Sequence, residues 1–277
     1  MKKWKAAAAA CGTAVMLAAG IMGCGQQDIL NTETESDLPV LVVGVDHYEP
    51  YSYQDEEGNF VGIDVELAKE ACRRMGYTPV FKQVVWEQKD QWLADGEIDC
   101  IWSCYTMTGR EELYAWAGPY LYSVQTVVVR ADSGIETLED LEGRRVAVQT
   151  TTKPESLFLR REDAHIPEVG GVYSVSTIED LYASLRCGYV DAISGHESAM
   201  NMFIATDPEQ YTMLSEELYV SGLGIAFKKE TGQEQAEALM RTVQEMKEDG
   251  TVRKIVEKYG LNVSKAFGEA VKADDAW

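Results

Sequence analysis

Short apolar runs alternate with longer amphipathic stretches along most of this chain. The runs at residues 40–45, 127–129, 146–148 and 223–227 have the length of buried strands, and polar residues, proline or glycine bound each of them. The stretches between the runs show the apolar spacing of helices. This alternation predicts an α/β fold in which helices cover both faces of mainly parallel sheets.

Helix boundaries are marked at several places. Asp64 is placed to cap a helix that Gly76 ends, and Thr177 is placed to cap another. The first of these helices carries apolar residues on one face: Ala68, Ala71, Cys72 and Met75. Two further apolar stripes end before Gly250 and Gly260, and we interpret both as core faces.

One helix–glycine–strand unit occurs twice. Residues 92–101 match residues 184–193 at a leucine, a glycine, a branched aliphatic residue, an aspartate and an isoleucine. Upstream of each unit, another apolar strand leads into a polar loop, at residues 46–51 and 149–153. The repeat predicts two similar α/β lobes that follow one another along the chain.

The first 23 residues have the pattern of an export signal, with a lysine-rich head and an apolar core at residues 6–21. This core is shorter than the roughly 20 apolar residues of a membrane-spanning helix. The closing tetrapeptide Ile-Met-Gly-Cys resembles a bacterial lipobox, which implies a diacylglyceryl anchor on Cys24. An ordinary signal cut elsewhere is the alternative. Residues 24–37 are polar and predict a flexible tether.

Composition limits the classes of function. The chain has 277 residues, 45% of them hydrophobic, which suffices for one large or two modest domains. With 25 basic and 46 acidic side chains it carries a net charge of -21, which argues against a nucleic-acid partner. Its mean hydropathy of -0.23 argues against a protein with several membrane spans.

Cysteines and histidines indicate no metal site. The sequence has no CxxC or HxxxH spacing, and it also lacks the G-x-S-x-G elbow of serine hydrolases. We expect no metal and no cofactor. Cys72, Cys100 and Cys187 fall at apolar positions, where buried free thiols are common, and we expect no disulfide between these residues and Cys104.

A series of short motifs, in order along the chain, resembles the extracellular solute-binding proteins of polar amino-acid ABC importers. The motifs are Val43-Gly44-Val45, Pro50-Tyr51, Gly58-x-x-x-Gly62-Ile63-Asp64-Val65-x-Leu67-Ala68, Gly96-x-Ile98-Asp99, Thr106-Met107-Thr108-Gly109-Arg110, Gly118-Pro119-Tyr120, Leu138-x-Asp140-Leu141-x-Gly143, Gly188-x-Val190-Asp191-Ala192 and Asp249-Gly250-Thr251. The similarity extends over residues 40–261.

This resemblance implies a two-lobed clamp joined by two hinge strands. Lobe one would comprise residues 38–126 and 223–262, lobe two residues 127–222, and residues 263–277 a C-terminal tail. The ligand would lie between the lobes, at the carboxyl ends of strands. The partners implied are a small-molecule ligand, ABC permease subunits and, through the lipid anchor, the bacterial membrane. The protein would act as an extracytoplasmic monomer.

In lobe one, the resemblance assigns Arg110 to the ligand carboxylate, which a guanidinium can hold with two parallel hydrogen bonds. Arg110 matches the family segment through a one-residue gap, so a surface arginine is the alternative. Ser103 and Thr106, on the preceding loop, would complete the carboxylate site. Cys104 stands where the family often has a small polar residue.

The resemblance implies aromatic walls at Tyr48 and Trp86, the positions where members of the family enclose the stem of the ligand. Core packing is the alternative for both. Asp46 begins the loop that contains Tyr48. Its carboxylate would either meet a ligand cation or stabilise the turn.

Lobe two departs from the family pattern. The family loop normally has glycine followed by Ser or Thr, whereas here Thr151 or Thr152 would donate to the carboxylate. The acidic residue that usually accepts the ligand ammonium aligns with His196, and Glu197 is its neighbour. Either Glu197 takes this role or the ligand is not an ordinary α-amino acid; His196 could also be a plain loop residue.

The function expected is therefore capture of an amino acid or related small carboxylate by lobe closure, as the binding component of an ABC importer and not as an enzyme. Two alternatives share the fold. A dehydratase-like enzyme would need an acid and a base across the cleft, a role for which His196 and Glu197 are candidates. A ligand-sensing receptor would need further domains.

Overall fold

This computed structural model describes residues 38–161, 163 and 165–269. The signal sequence, the lipidation at Cys24 and the tether at 24–37 that the sequence predicts fall outside the described residues, as does the end of the expected C-terminal tail. Among the described residues, no helix is both long enough and apolar enough to cross a bilayer.

Strands and helices alternate through most of the chain, as the sequence pattern predicts. The strands are β1 (Val40–Val45), β2 (Tyr53–Gln54), β3 (Phe60–Val61), β4 (Thr78–Gln83), β5 (Cys100–Thr106), β6 (Tyr114–Arg130), β7 (Arg145–Gln149), β8 (Gly171–Val175), β9 (Ala192–His196), β10 (Tyr211–Met213) and β11 (Tyr219–Lys228). The helices are α1 (Ile63–Met75), α2 (Lys89–Asp95), α3 (Lys153–Arg160), α4 (Ile178–Arg186), α5 (Glu197–Ala205), α6 (Gln233–Glu248), α7 (Thr251–Lys258) and α8 (Val263–Ala266). Short 3₁₀ turns cover Trp86–Gln88 and Glu139–Leu141.

The main sheet consists of two parallel halves joined by long antiparallel strands. Its order is β4-β1-β5-β11-β6-β9-β7-β8, with β10 on the edge of β6. We call β4-β1-β5 the first half-sheet and β8-β7-β9 the second, since all pairings within each half are parallel. The α/β architecture with mainly parallel sheets is therefore confirmed, and its two halves have the same strand order.

The repeated unit has the same local structure in both halves. Gly96 follows α2 with φ 76°, and Gly188 follows α4 with φ 70°; both are conformations that glycine adopts at low cost. The aspartate of each unit then accepts a backbone hydrogen bond from the central strand of its own half. Asp99 Oδ2 accepts from Val42 N at 2.7 Å, and Asp191 Oδ2 accepts from Arg145 N at 2.8 Å.

Two long strands connect the halves. β6 pairs with β11 over its first part and with β9 from Gln125 to Val129. β11 pairs with β6 and, from Leu223 onward, with β5. The chain therefore passes between the half-sheets twice through continuous β structure. Helix α8, in the stretch expected to be a tail, packs its buried Ala266 in a core cluster that contains residues of both halves.

Asp64 does not cap α1, contrary to the expectation from its position. Gly62 is the N-cap residue, and Asp64 lies in the first turn with its side chain 1% exposed. Its carboxylate accepts hydrogen bonds from Cys104 N at 2.6 Å and from the Tyr120 hydroxyl at 2.7 Å. Burial raises the pKa of Asp64 to about 7. The Asp64 carboxylate is therefore bonded to the backbone of β5, whereas a capping residue would accept from a backbone N–H of its own helix.

Two further expectations need correction. Ser103 and Thr106 belong to strand β5 and not to the loop after it, because β5 continues to Thr106. Cys187 is exposed, since α4 ends at Arg186 and the C-cap position faces solvent. Cys72, Cys100 and Cys104 are buried thiols.

Candidate functional site

A cavity lies between the two half-sheets, at the carboxyl ends of β1, β5, β7 and β9. The end of a parallel strand is where open α/β sheets place ligands. Its lining includes most of the residues expected from the sequence: Asp46, Tyr48, Trp86, Ser103, Thr106, Arg110, Thr151, Thr152 and His196. The volume is about 30 Å³, room for about two water molecules. The two halves therefore lie close together around this point.

Arg110 is half-buried and bridges the two halves. Its Nη1 donates to the Thr106 carbonyl at 3.1 Å, and its Nη2 donates to the Thr151 carbonyl at 3.0 Å. The guanidinium carbon lies 5.0 Å from the centre of the Tyr105 ring, and Trp116 Nε1 donates to the Arg110 carbonyl. Arg110 thus points into the cavity and is not a plain surface arginine. Both of its acceptors are neutral backbone oxygens.

Lys89 is a charged residue at the cleft that the sequence analysis did not single out. It is 1% exposed, and its Nζ donates to Thr151 Oγ1 at 3.0 Å. The ammonium also lies over Trp86, 4.9 Å from the ring centre. Burial lowers the pKa of Lys89. No sequence signal marks this lysine, because its burial depends on Thr151 in the other half of the molecule.

Asp46 connects the halves through its side chain. Its Oδ2 accepts from Gln149 Nε2 at 2.8 Å, and its Oδ1 accepts from His47 N at 2.9 Å. Its own backbone N–H donates to Ser103 Oγ. Burial raises the pKa of Asp46 to about 7, against the lowering effect of the Gln149 hydrogen bond. Asp46 therefore has contacts that fit either of the two roles expected for it.

His196, the last residue of β9, is 8% exposed and forms a polar cluster with residues of the long strand β6. Its Nδ1 lies 2.9 Å from Ser123 Oγ, and both ring nitrogens lie within 3.2 Å of Gln125 Nε2. Its backbone N–H donates to the Tyr48 hydroxyl at 3.2 Å. Burial lowers the pKa of His196 to about 3, so the imidazole is neutral near pH 7.

Glu197 is not brought together with the other candidate residues. It begins helix α5, and its Oε1 accepts from Lys265 Nζ at 2.8 Å. It lines a separate cavity with Asn262 and Tyr259. The acidic neighbour of His196 therefore points its carboxylate at α8 and not at the cleft.

Two polar atoms of the lining have no hydrogen-bond partner within the described part of the chain. They are Gln125 Oε1 and Trp86 Nε1, and both are fully buried. A buried polar group without a partner costs about 1–3 kcal/mol. One acceptor and one donor at the cleft thus lack a hydrogen-bond partner among the described residues. The sequence analysis identified neither Gln125 nor Gln149 as a site residue, because an uncharged amide leaves no charge pattern in the sequence.

Cys104 occupies an uncommon backbone conformation at the floor of the cleft. Its φ is 38°, a region that non-glycine residues rarely adopt. The hydrogen bond from its N–H to the buried Asp64 carboxylate holds this conformation. Burial raises the pKa of the thiol well above its usual value, so Cys104 is a neutral wall and not a nucleophile. Among the described residues, no three His, Cys, Asp or Glu side chains are grouped to hold a metal ion.

Comparison with known protein families decides the classification. The family model for bacterial extracellular solute-binding proteins, family 3, matches residues 41–262. The chain belongs to this family. The resemblance inferred from the ordered motifs is therefore confirmed, and the family's extracellular setting agrees with an export signal.

Relatives of this solute-binding protein include amino-acid-binding proteins. It is 29% identical to the L-cystine-binding protein TcyJ of Escherichia coli K12, over 91% of this chain and 94% of that protein. It is also 29% identical to the histidine-binding periplasmic protein of the same strain, over 76% of this chain and 84% of that protein. Among solved structures, an ancestral arginine-binding protein bound to arginine is 29% identical, with a TM-score of 0.71 over 80% of this chain and 98% of that chain. The two-lobed fold class is confirmed.

Proposed function

We propose that this solute-binding protein captures an amino acid or related small carboxylate for an ABC importer. The relatives named above bind amino acids, and most of the residues expected to contact such a ligand line one cavity. The observation that carries the proposal is the position of Arg110. Its guanidinium enters the cleft and is bonded only to neutral carbonyl oxygens among the described residues, which a ligand carboxylate can replace with stronger, charge-assisted hydrogen bonds.

Each half of the cleft has a part in this proposal. On the side of the first half-sheet, Arg110, Ser103 and Thr106 hold the carboxylate, and Tyr48 and Trp86 enclose the stem. Asp46, the carboxylate of the lining, meets the ligand ammonium alongside its hydrogen bonds from Gln149 and His47. On the other side, Thr151 and Thr152 donate to the ligand. His196 contributes a neutral imidazole beside the Gln125 carbonyl oxygen, which has no hydrogen-bond partner among the described residues. Glu197, bonded to Lys265, does not take part.

Capture then proceeds by hinge closure. Lobe one comprises residues 38–126 and 223–262, and lobe two residues 127–222, with β6 and β11 as the hinge. The lining of the cavity supports this mechanism, because residues of both lobes surround the space and a ligand held there can leave when the lobes separate. The contacts of Arg110 and Lys89 with Thr151 are those that separation would break.

The polar groups at the cleft favour a protein that binds its ligand without catalysing a reaction. A cleft enzyme would need a proton donor and acceptor that face each other across the ligand. The imidazole of His196 has its pKa lowered to about 3 by burial, and the carboxylate of Glu197 pairs with Lys265. These two residues therefore do not form an acid–base pair at the cleft.

The N-terminal sequence supports membrane anchoring. In this proposal Cys24 carries the lipid, residues 24–37 form the tether, and the monomeric binding protein delivers its ligand to permease subunits at the outer face of the cytoplasmic membrane. Replacing Cys24 by alanine should release the protein into the extracytoplasmic fluid and abolish labelling with radioactive palmitate. Retention of label on the variant would refute lipidation at this residue.

Ligand binding is tested by calorimetric titration of the purified protein with the twenty amino acids. Arg110→Gln should weaken binding of the ligand found by about 100-fold or more, because the carboxylate loses its charged partner. Arg73→Gln is the matched control, since Arg73 is exposed on α1 and pairs with Glu70. Unchanged affinity in Arg110→Gln would remove the carboxylate assignment, and turnover of the bound ligand would replace the carrier function by catalysis.

A further inference from the structure

The charged side chains at the cleft are mostly basic. Arg110 and Lys153 line the cavity, and Lys89 lies against the lining residues Trp86 and Thr151. Among the described residues, Asp46 is the one carboxylate in the lining. The whole protein carries a net charge of -21, so this local excess of positive charge runs against the rest of the molecule. Such a site attracts anions and repels cations.

Two of these cations converge on one residue. Arg110 Nη2 donates to the Thr151 carbonyl at 3.0 Å, and Lys89 Nζ donates to the Thr151 hydroxyl at 3.0 Å. Both acceptors are neutral oxygens, although a cation bonds more strongly to a carboxylate oxygen. Thr151 also has φ 55°, which is rare for a β-branched residue. The two cations are therefore arranged as a pair that an anion would satisfy better than Thr151 does.

Two aromatic rings of the cleft, Trp86 and Tyr105, already lie against protein cations. The Lys89 ammonium lies 4.9 Å from the centre of the Trp86 ring and 5.5 Å from that of Tyr105. The Arg110 guanidinium lies 5.0 Å from the same Tyr105 ring. Aromatic faces are where a cationic ligand side chain would gain most. At these two rings such a side chain would instead meet positive charge.

Three acids at or near the cleft accept hydrogen bonds from protein donors. Asp46 accepts from Gln149 Nε2 and from His47 N. Asp90, 3.7 Å from Lys89 Nζ, accepts from the Tyr114 hydroxyl at 2.5 Å. Glu155 accepts from Thr151 N and from Ser174 Oγ. Of these three, only Asp46 lines the cavity, whereas Asp90 lies beside Lys89 outside the lining.

We propose that the cleft prefers an anionic ligand, an amino acid with a side-chain carboxylate, over neutral and cationic amino acids, and that Lys89 sets this preference. The inference rests on the proposed function and narrows its ligand class. Arg110 contacts a ligand carboxylate directly. Lys89 adds a second positive charge beside it, which a neutral amide of the same shape cannot exploit.

Isosteric ligands test the preference on the unmodified protein. Calorimetric titration with L-glutamate, L-glutamine and L-arginine should give an affinity for glutamate about tenfold or more above that for glutamine, with arginine weakest. L-aspartate and L-asparagine repeat the comparison for a shorter side chain. Affinity for glutamine or arginine equal to or above that for glutamate would overturn the inference and leave the proposed function standing. Failure of all twenty amino acids to bind would contradict both.

A lysine substitution then tests the role of Lys89. Lys89→Met keeps the buried stem and removes the charge, so the ratio of glutamate to glutamine affinity should fall by about tenfold, whereas Lys89→Arg should retain most of it. Lys82→Met is the matched control: Lys82 belongs to the same half of the protein, lies over the Trp92 ring and pairs with Glu97 outside the cleft. An equal loss of both affinities in Lys89→Met would show a structural role only and overturn the assignment.

Discussion

Arg110 and Thr151, which lie in opposite halves of the molecule, are joined by a hydrogen bond of 3.0 Å from the guanidinium to the carbonyl oxygen. Thr151 also accepts from Lys89 Nζ through its hydroxyl, at 3.0 Å. A single loop residue thus receives a bond from each of two cations. Because both bonds cross between the halves, they contribute to the closed arrangement of the cleft.

The Lys89–Thr151 bond should be measurable as a coupling energy. Thr151→Val removes the hydroxyl and keeps the β-branched shape, and Lys89→Met removes the ammonium. Each single variant should lower the free energy of unfolding by about 1–3 kcal/mol, since each leaves the other polar group without this partner inside the protein. The double variant should lose less than the sum, by about 0.5–1.5 kcal/mol. Urea unfolding of the four proteins gives this cycle. Additive losses would mean that the two groups do not stabilise one another.

The buried carboxyl of Asp64 should make stability depend on pH. Its pKa is raised from 3.8 to about 7 by burial. Between these two values the folded protein keeps a proton that the unfolded chain has released. The contribution of Asp64 to the free energy of unfolding therefore falls as pH rises from about 4 to about 7, by at most about 1.4 kcal/mol per pH unit.

Asp64→Asn isolates this contribution. The amide of the substituted side chain would still offer an acceptor to the Cys104 N–H, and it has no proton to lose. Asp46, with its pKa raised to about 7, and His196, with its pKa lowered to about 3, also titrate, in opposite senses, but both remain in the variant. The difference in unfolding free energy between variant and parent should thus shift in favour of the variant from pH 4 to pH 7. Parallel curves in urea unfolding would contradict a raised pKa.

His196→Asp should restore an acceptor for a ligand ammonium. Gln125 Nε2 and Ser123 Oγ, which contact the imidazole, can each donate to a carboxylate at this position. We expect the ratio of L-glutamate to 2-oxoglutarate affinity, which isolates the ammonium, to rise about tenfold. Calorimetric titration provides both values, and His165→Asp, on an exposed loop, is the control. An unchanged ratio would mean that the ammonium binds elsewhere in the cleft or not at all.

The parts of the fold that the sequence predicts are those fixed by local pattern. The apolar run at Val40–Val45 forms β1, and Thr177 caps α4 by accepting from Asp180 N. Strand ends then bring the loop residues together, because parallel strands of one sheet end at the same edge. This is why Asp46 and Thr151, far apart in the chain, both line one cavity.

The parts that could not be predicted depend on contacts between distant residues. The position of Asp64 fits a helix cap, and only the approach of β5 gives its carboxylate the Cys104 amide as a partner. Lys89 lies in a polar stretch that looks solvent-exposed, yet packing against Trp86 and Thr151 buries it. Glu197 differs from its neighbour His196 because helix α5 begins there and turns the side chain toward Lys265. Single-residue patterns contain none of these relationships.

The repeated aspartate gives a final prediction in which one half of the molecule is the control for the other. Asp99 accepts only the Val42 amide among the described residues, whereas Asp191 accepts the Arg145 amide and also the Arg145 guanidinium, at 3.1 and 2.8 Å. These bonds lower the pKa of Asp191, so its extra contribution is present at neutral pH and is lost as pH falls below about 4. Asp99→Ala should cost about 1 kcal/mol and Asp191→Ala about 2 kcal/mol.

Val42 and Arg145 occupy equivalent positions in the two halves. In each case, the next residue along the strand pairs with the residue that directly follows the aspartate. Arg145→Val therefore gives the second half the chemistry of the first. In that background Asp191→Ala should cost only as much as Asp99→Ala, about 1 kcal/mol, because the backbone hydrogen bond alone remains. Urea unfolding at pH 7 measures each cost. If Asp191→Ala still costs about 2 kcal/mol without the guanidinium, the two aspartates differ for a reason other than Arg145.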